Sequence, residues 1–524
     1  MITKSGIENV STVIITVVIL IFLTFSDSNS CTTLIAGRGT TEDGSILFAK
    51  TEDDDADYAD YLWFVPRKKH KKGAMIKLSG GNMIPQAAET YAYFWDQVPG
   101  SEYSNAVVNE WGLSIGSDAC PSREDSIEEV EKRGDISKGG IGWRLRFILA
   151  ERCKTAREAV QLASELLDRY GYRGSGRTLD IVSPSEAWIL QMVRGKQYVA
   201  RRVKEDEVVP IANTYTIRDV DTDDEDNFTC SDNLIKYAEE RGWYNPERDG
   251  KFDFAKTYAS KDSHTDIRNT RRCWIMAKAV NRDFPLSREE ADRGKMPVSI
   301  KPDRKLSLKE MMNIMRNHYE GTELDSSNGY ERSPHKTESR PICTYYTRRT
   351  TVIQLREWMP AEIGTVIWRA LYEPCSSGFV PWYLCARDIP KAFRNAPVSF
   401  YDTDKSLYEY HFNMPEEKGH LDMDSASYIF GLMAGLVDSD YKNVIDHVKE
   451  IWSDFENYQF RMQGKVEETA LKLYKRDKEG ARNYLSDYTT SRAAESINTA
   501  KSIINTLEYR LWNAKQGTRL APGN

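Results

Sequence analysis

Cys31 follows Ser28-Asn29-Ser30 and opens the stretch Cys31-Thr32-Thr33-Leu34-Ile35-Ala36-Gly37. Serines at 28 and 30 stand three residues and one residue before the cysteine, the small-residue pattern cut by a signal peptidase. Upstream, Val13 to Phe25 is a nearly unbroken apolar run behind the positive charge of Lys4 and the amino terminus, partly offset by Glu8. That run is short of the roughly 20 residues a spanning helix needs, which favours a removed leader over an uncut anchor. Cleavage after Ser30 would make Cys31 the first residue, holding a thiol and a free α-amine on one carbon. A thiol titrates near 8.5 and an α-amine at about 7.7–8.0. The amine is therefore partly neutral at physiological pH and suited to act as a general base. Directly or through one water it can take the thiol proton and pass it to a leaving amine, with no histidine needed. Acyl transfer there also requires oxyanion donors, from backbone N–H groups or an Asn amide, and a carboxylate to hold the α-amine.

The elements that position such a residue follow from the pattern. Thr32–Gly37 and Ser45–Lys50 are β-prone and flank a turn-rich stretch containing Asp43-Gly44, so a hairpin is expected with Cys31 at its tip. Ala106–Gly116 reads as strand, turn, strand. Helices are expected near 142–153 and from Thr155, where Thr155 and Glu158 are spaced as a capping box. Residues 178–183, 187–193 and 198–203 read as an antiparallel meander. Helices follow near 231–241, 268–281 and 308–319, the last opened by a second box, Ser307 and Glu310. Residues 321–341 read as loop, 350–355 and 365–371 as strands, and the chain from about 425 as helix. Strands clustered apart from helices predict an α+β fold.

The 524 residues carry a formal net charge of -7, with 40% hydrophobic and 11% aromatic content. This composition is globular, and its weak acidity offers no basic footprint for nucleic acid. Acidic residues in 52–60 and basic residues in 67–72 read as solvated loop surface. If Cys31 is set aside from the eight cysteines, seven remain and at least one stays unpaired within the chain. Cys375 and Cys385 flank a Gly-Pro-containing loop and are the expected bridge. The seven histidines are scattered without ligand spacing and no C-x-x-C occurs, so spacing alone predicts no zinc site and no cofactor. Asn227-Phe228-Thr229 is a glycosylation sequon.

Cys31-Thr32-Thr33 followed by Asp43-Gly-Ser-Ile-Leu-Phe-Ala-Lys-Thr-Glu-Asp53 resembles the opening of N-terminal nucleophile hydrolases of the choloylglycine hydrolase superfamily. The nearest likeness is to C69-type dipeptidases, relatives of secernins. It continues through Asn109-Glu-Trp-Gly-Leu113, Asn213-Thr-Tyr-Thr216, the Arg-rich Arg268–Trp274, Tyr345-Tyr-Thr347, Val352–Arg356 and Gly378–Tyr383, in order over roughly residues 31–430. The resemblance implies a four-layer αββα sandwich of antiparallel sheets over 31–430, after a leader at 1–30 and before a helical C-terminal extension at 431–524. It implies Cys31 as nucleophile, Asp53 as the carboxylate steadying the α-amine, Asn213 as side-chain oxyanion donor and Asn109 as a second oxyanion-hole residue. Arg271 is the expected pocket arginine, with Arg268 and Arg272 competing. Lys50 stands where bile-salt and penicillin-acylase members carry arginine, which keeps the charge and loses the planar fork.

The expected function is a secreted, lysosomal or vacuolar cysteine-type dipeptidase, matured by signal peptidase and acting on small peptides. It needs no cofactor, nucleic acid or, after cleavage, membrane. An amidase of the same fold acting on N-acyl amides is the second reading and a non-catalytic secreted binding protein the third. Association into homo-oligomers is left open.

Overall fold

A computed structural model describes residues 31–53, 61–78, 81–97, 106–123, 126–337, 339–394 and 422–520. The expected leader and most of the acidic run lie outside the described residues. Two large antiparallel sheets dominate. The six-stranded sheet runs Val208–Ile211, β1 (Thr32–Ala36), β2 (Ile46–Asp53), Thr347–Leu355, Thr365–Leu371, Val380–Tyr383. The eight-stranded sheet runs Phe228–Cys230, Tyr198–Val203, Ala187–Met192, Arg177–Val182, Ser114–Ala119, Ala106–Asn109, Tyr93–Gln97, Tyr61–Val65.

β1 and β2 form the expected hairpin, with Thr33 opposite Lys50 and Ile35 opposite Phe48. Alternation with a period of two sends their side chains to two different layers. Ile35, Ile46 and Phe48 enter the cluster between the sheets, where they meet Val108, Val182 and Ile189. Leu34, Ala36, Leu47 and Ala49 face the other way, under the helices Ile267–Val280 and Leu308–Met315. Beyond the second sheet, Ile115, Leu179 and Trp188 pack on the helices Leu145–Arg152 and Ala156–Tyr170. The layers therefore run helix, sheet, sheet, helix, an α+β sandwich as expected.

The helix starts have identifiable causes. Ser307 and Glu310 make the complete reciprocal box. At Thr155 only half of it forms: the Thr155 side chain accepts from Glu158 N–H, but the Glu158 carboxylate accepts from Lys154 N–H at 2.7 Å. The helix expected over 308–319 ends at Met315, and the described residues from there to Thr347 form neither helix nor strand.

The extension comprises the helices Ala426–Ser439, Tyr441–Tyr474 and Lys478–Leu520. It lies on the sandwich: Met433, Val448 and Trp452 join the cluster that contains Trp382 and Val380, and Val466, Ala470 and Leu485 join the one under β1 and β2. Gly378 lets Trp452 approach, since a Cβ there would sit 2.2 Å from Trp452 Cε3. Arg356 donates a fork to Glu467, both bonds 2.6 Å, which ties the sheet to the second of these helices.

All eight cysteines are free thiols, so the expected Cys375–Cys385 bridge is corrected. The intervening strand Val380–Tyr383 separates the two, and they belong to different core clusters.

Because the extension shares the sandwich core, Trp452→Ala is expected to lower stability by about 3–5 kcal/mol. Urea unfolding should show one cooperative transition moved to lower denaturant. An unchanged main transition would mean that the helices fold apart from the sandwich.

Candidate active site

The same alternation builds the site. Cys31, Thr33 and Ile35 share one face of the strand, and Phe48, Lys50 and Glu52 share the matching face of β2. Cys31 is 4% exposed. Its Sγ lies 3.8 Å from Glu52 Oε1, the carboxylate whose other oxygen receives Arg349 Nη2 at 3.4 Å. Arg349 also pairs with Asp96, which accepts from Arg369 Nε at 2.7 Å. A chain of alternating charges thus runs inward from the thiol.

Lys50 Nζ donates to Thr33 Oγ1 at 3.1 Å and to Asp118 Oδ1 at 2.8 Å, with Asp180 Oδ2 at 3.8 Å. Burial works against its charge, but Asp118 and its neighbours hold its pKa well above the ordinary lysine range. The environments of the two buried carboxylates push their pKa values apart. Burial and the charge on Asp118 drive the Asp180 pKa up, while Lys50 draws that of Asp118 down against burial. Lys50 is therefore an internal counter-charge beside the Cys31 thiol.

Thr32 and Asp53 take the opposite face, toward the helix layer. Asp53 accepts from Thr347 Oγ1 at 2.9 Å, its partner across the sheet, and from Arg340 Nη2 at 3.3 Å. Burial still pushes the Asp53 pKa up, because Arg340, Arg272 and Thr347 offset it only in part. Arg272 is fully buried and holds four groups together. Nη1 donates to the Cys31 carbonyl at 2.9 Å and to Thr32 Oγ1 at 2.8 Å. Nη2 donates to Asn213 Oδ1 and Asn269 Oδ1, each at 2.9 Å. This fixes the Asn213 amide orientation: Oδ1 faces the arginine and Nδ2 donates to the Ala119 carbonyl at 3.0 Å. Asn213 has φ 52°, a left-handed conformation that Asn adopts more readily than most residues.

The structure thus brings Cys31, Lys50, Asp53, Asn213 and Arg272 together. Three expected members lie elsewhere. Arg271 forks onto Asp292 with two bonds of 3.0 Å and donates to Ser339 Oγ at 2.8 Å. One residue along a helix turns a side chain by about 100°, so Arg272 faces the sheet and Arg271 does not. Arg268 is held by its own N-cap residue, Asp266. Asn109 is a turn residue. Its Oδ1 accepts from Trp111 and Leu113 N–H, and its Nδ2 donates to the Ala150 and Cys153 carbonyls at 2.8 Å each, anchoring a helix end. Gly112 at φ 81° completes that turn. Asn227 is half-buried, and its side-chain amide donates to the Asp224 carboxylate.

Glu52, Asp118, Asp180, Asn269 and Arg340 were not singled out in the sequence. Spacing did not single out Arg272: Met276 and Val280 follow it at four-residue spacing, but Ile275 and Ala279 follow Arg271 in the same way. A cleft of about 740 Å³ between the Ala156–Tyr170 helix and the Phe228–Cys230 strand shares none of these residues.

With the geometry in place, comparison with known proteins identifies the group. The profile of Peptidase family C69 matches residues 30–454. The chain belongs to peptidase family C69. It is accordingly a peptide-bond hydrolase. A probable dipeptidase of Salmonella dublin is 27% identical over 378 residues, covering 70% of this chain and 84% of its own. A probable dipeptidase B of Streptococcus pyogenes serotype M1 is 26% identical over 396 residues, covering 73% and 77%. The crystal structure of a mutant conjugated bile acid hydrolase from Clostridium perfringens aligns over 66% of this chain and 89% of its own. Its identity is 13% and its TM-score 0.32.

Arg272 orients two groups of this C69 peptidase that Arg271 never touches. Arg272→Lys cannot reproduce four bonds from a planar fork and is expected to lower kcat/KM at least about 100-fold, a loss of roughly 2.7 kcal/mol. Arg271→Ala should change kcat/KM less than about fivefold, which is under roughly 1 kcal/mol. Steady-state kinetics on the two variants checks the assignment, and the reverse ranking would refute it.

Proposed function

We propose that the chain is a secreted or endolysosomal cysteine-type dipeptidase whose nucleophile is Cys31, freed as the N-terminal residue by cleavage after Ser30. The observation that carries this reading is the environment of the thiol. Burial, then the Glu52 charge, drive the Cys31 pKa well above the ordinary thiol range, and Lys50 offsets them only in part. Such a thiol needs a base beside it. The charged groups that act on it most strongly are Glu52, Lys50, Asp118 and Asp53, none of them a histidine. The α-amine released by the cut is a base on the same α-carbon. It would emerge near Asp53, a buried carboxylate whose charge is under-compensated and would be stabilised by an ammonium. The names of the Salmonella and Streptococcus relatives support a dipeptide as substrate.

In this mechanism the α-amine takes the Cys31 proton as the sulfur attacks the peptide carbonyl. Asn213 Nδ2, oriented by Arg272 through Oδ1, is the side-chain donor to the developing oxyanion. The C–N bond breaks, the leaving amine takes the proton, and an acyl-thioester remains. Water then attacks the thioester, its proton passing to the α-amine and on to the departing sulfur. Glu52, with Oε1 3.8 Å from Sγ, is a carboxylate suited to receive the ammonium of a dipeptide. A lysine at position 50 in place of arginine leans away from N-acyl amides.

N-terminal sequencing of the secreted protein should read Cys-Thr-Thr-Leu, and iodoacetamide should abolish dipeptide hydrolysis. A different mature start, or activity retained by Cys31→Ala, would remove the mechanism. Turnover of N-acyl amides without turnover of dipeptides would overturn the substrate assignment alone.

The pH dependence has a defined sign. A raised thiol pKa keeps Cys31 protonated at neutral pH, so a chain blocked by an uncut leader should label slowly even above the pH at which an ordinary thiol ionises. Once the amine is free, labelling should rise between about pH 7 and 8, where the amine loses its proton. Mass-spectrometric labelling rates on cut and uncut chains check this, and identical profiles would contradict it.

A further inference from the structure

Two thiols and two imidazoles that the proposed peptidase chemistry does not use converge beside the loop that follows the strand Thr365–Leu371. Ligand atoms of His318, His335, Cys343 and Cys375 all lie within 4.8 Å of one another. A tetrahedral zinc with Zn–S of about 2.3 Å and Zn–N of about 2.0–2.1 Å has ligand-to-ligand edges of roughly 3.3–3.8 Å. No pair of the four atoms is thus more than about 1.5 Å beyond such an edge. The four residues are 2%, 3%, 0% and 2% exposed, in that order, so water solvates none of them.

The orientation of the imidazoles is more specific than their proximity. His318 Nδ1 bonds Glu320 Oε1 at 2.8 Å, and His335 Nδ1 bonds Asp438 Oδ1 at 3.0 Å. A carboxylate acceptor fixes the proton on Nδ1 and leaves the Nε2 lone pair for another partner, the outer-shell arrangement of metal-bound histidines. His335 Nε2 is 3.1 Å from Cys375 Sγ. His318 Nε2, close to the same sulfur, makes no hydrogen bond of good geometry to any described residue. Cys343 abuts Cys375. A disulfide would account for the two sulfurs but would give neither oriented imidazole a function.

The site also answers a problem of the fold. Residues 316–346 form a long connection whose described residues make neither helix nor strand, a length that is uncommon inside a compact domain unless something holds it. This connection carries His318, His335 and Cys343. It also carries Arg340, which reaches Asp53, and Ser339, which receives Arg271. Cys375 lies beyond the strand Thr365–Leu371, and Asp438 lies on the helix Ala426–Ser439.

We infer that His318, His335, Cys343 and Cys375 form a structural zinc site that clamps this connection to the helical extension. The donor set, two sulfurs and two nitrogens in a closed buried cluster, suits zinc. Binding removes one proton from each thiol to solvent and involves no redox change. Two thiolates then balance the divalent charge.

The inference is independent of the Cys31 mechanism, so Cys31→Ala protein should carry the same metal. Elemental analysis of the full mature chain, purified without chelator, should find about one zinc per chain. Zinc-edge X-ray absorption on the unaltered protein should give two sulfur and two nitrogen neighbours at the distances above. Replacement of the zinc by cobalt(II) should produce a thiolate charge-transfer band, and this band should vanish in Cys375→Ser and weaken in His318→Ala. Chelation should lower the melting temperature of the unaltered protein and leave that of folded Cys375→Ser unmoved. Protein that neither contains stoichiometric zinc nor takes up zinc or cobalt(II) would overturn the inference. So would an intact Cys343–Cys375 disulfide in non-reduced peptide maps, or an absorption spectrum lacking sulfur neighbours.

Discussion

The interaction on which the site depends is the buried fork of Arg272. A single planar guanidinium meets the Cys31 carbonyl, the Thr32 hydroxyl and two asparagine side chains. It thereby joins the first strand, the turn after Val208–Ile211 and the helix Ile267–Val280, which lie far apart in the sequence. A guanidinium suits this task because its donors are fixed in one plane and its charge is permanent. A flexible ammonium could neutralise the same region without setting the angle of the Asn213 amide.

The surroundings of Cys31 are governed by charge compensation at low solvent access. Lys50 lies between Asp118 and Asp180, and Glu52, Arg349, Asp96 and Arg369 alternate in sign. Each group would be costly to bury alone. Asp53 is the exception, since its neighbours leave its ionised form only partly stabilised. A buried group with a perturbed pKa beside the Cys31 thiol marks a place where a further charge fits.

The helical extension serves the same end from outside. Its first two helices fill the core beside the six-stranded sheet, hold Arg356 through Glu467, and bring Asp438 to His335. The connection that delivers Arg340 to Asp53 is therefore bounded by the sheet on one side and by these helices on the other.

Much of the molecule was legible in residue order. The β1–β2 hairpin, the meander, the helices near 156–170 and 267–280 and the helical tail all follow from local periodicity, caps and turns, which act over a few residues. The family was legible because its motifs recur in order around Cys31. Other features were not. Sequence spacing could not choose Arg272 over Arg271, since both fit the pattern and only packing against β1 orients one of them. The turn at Asn109 consumed an amide that looked available. Cys375 and Cys385 are near in sequence, but an intervening strand parts them. His318, His335, Cys343 and Cys375 have no motif spacing and yet converge. The sequence alone thus determined most of the elements and their buried faces, because these depend on near neighbours. Only the tertiary structure decided which charges, amides and thiols meet, because those contacts join distant segments and arise from the way the layers pack.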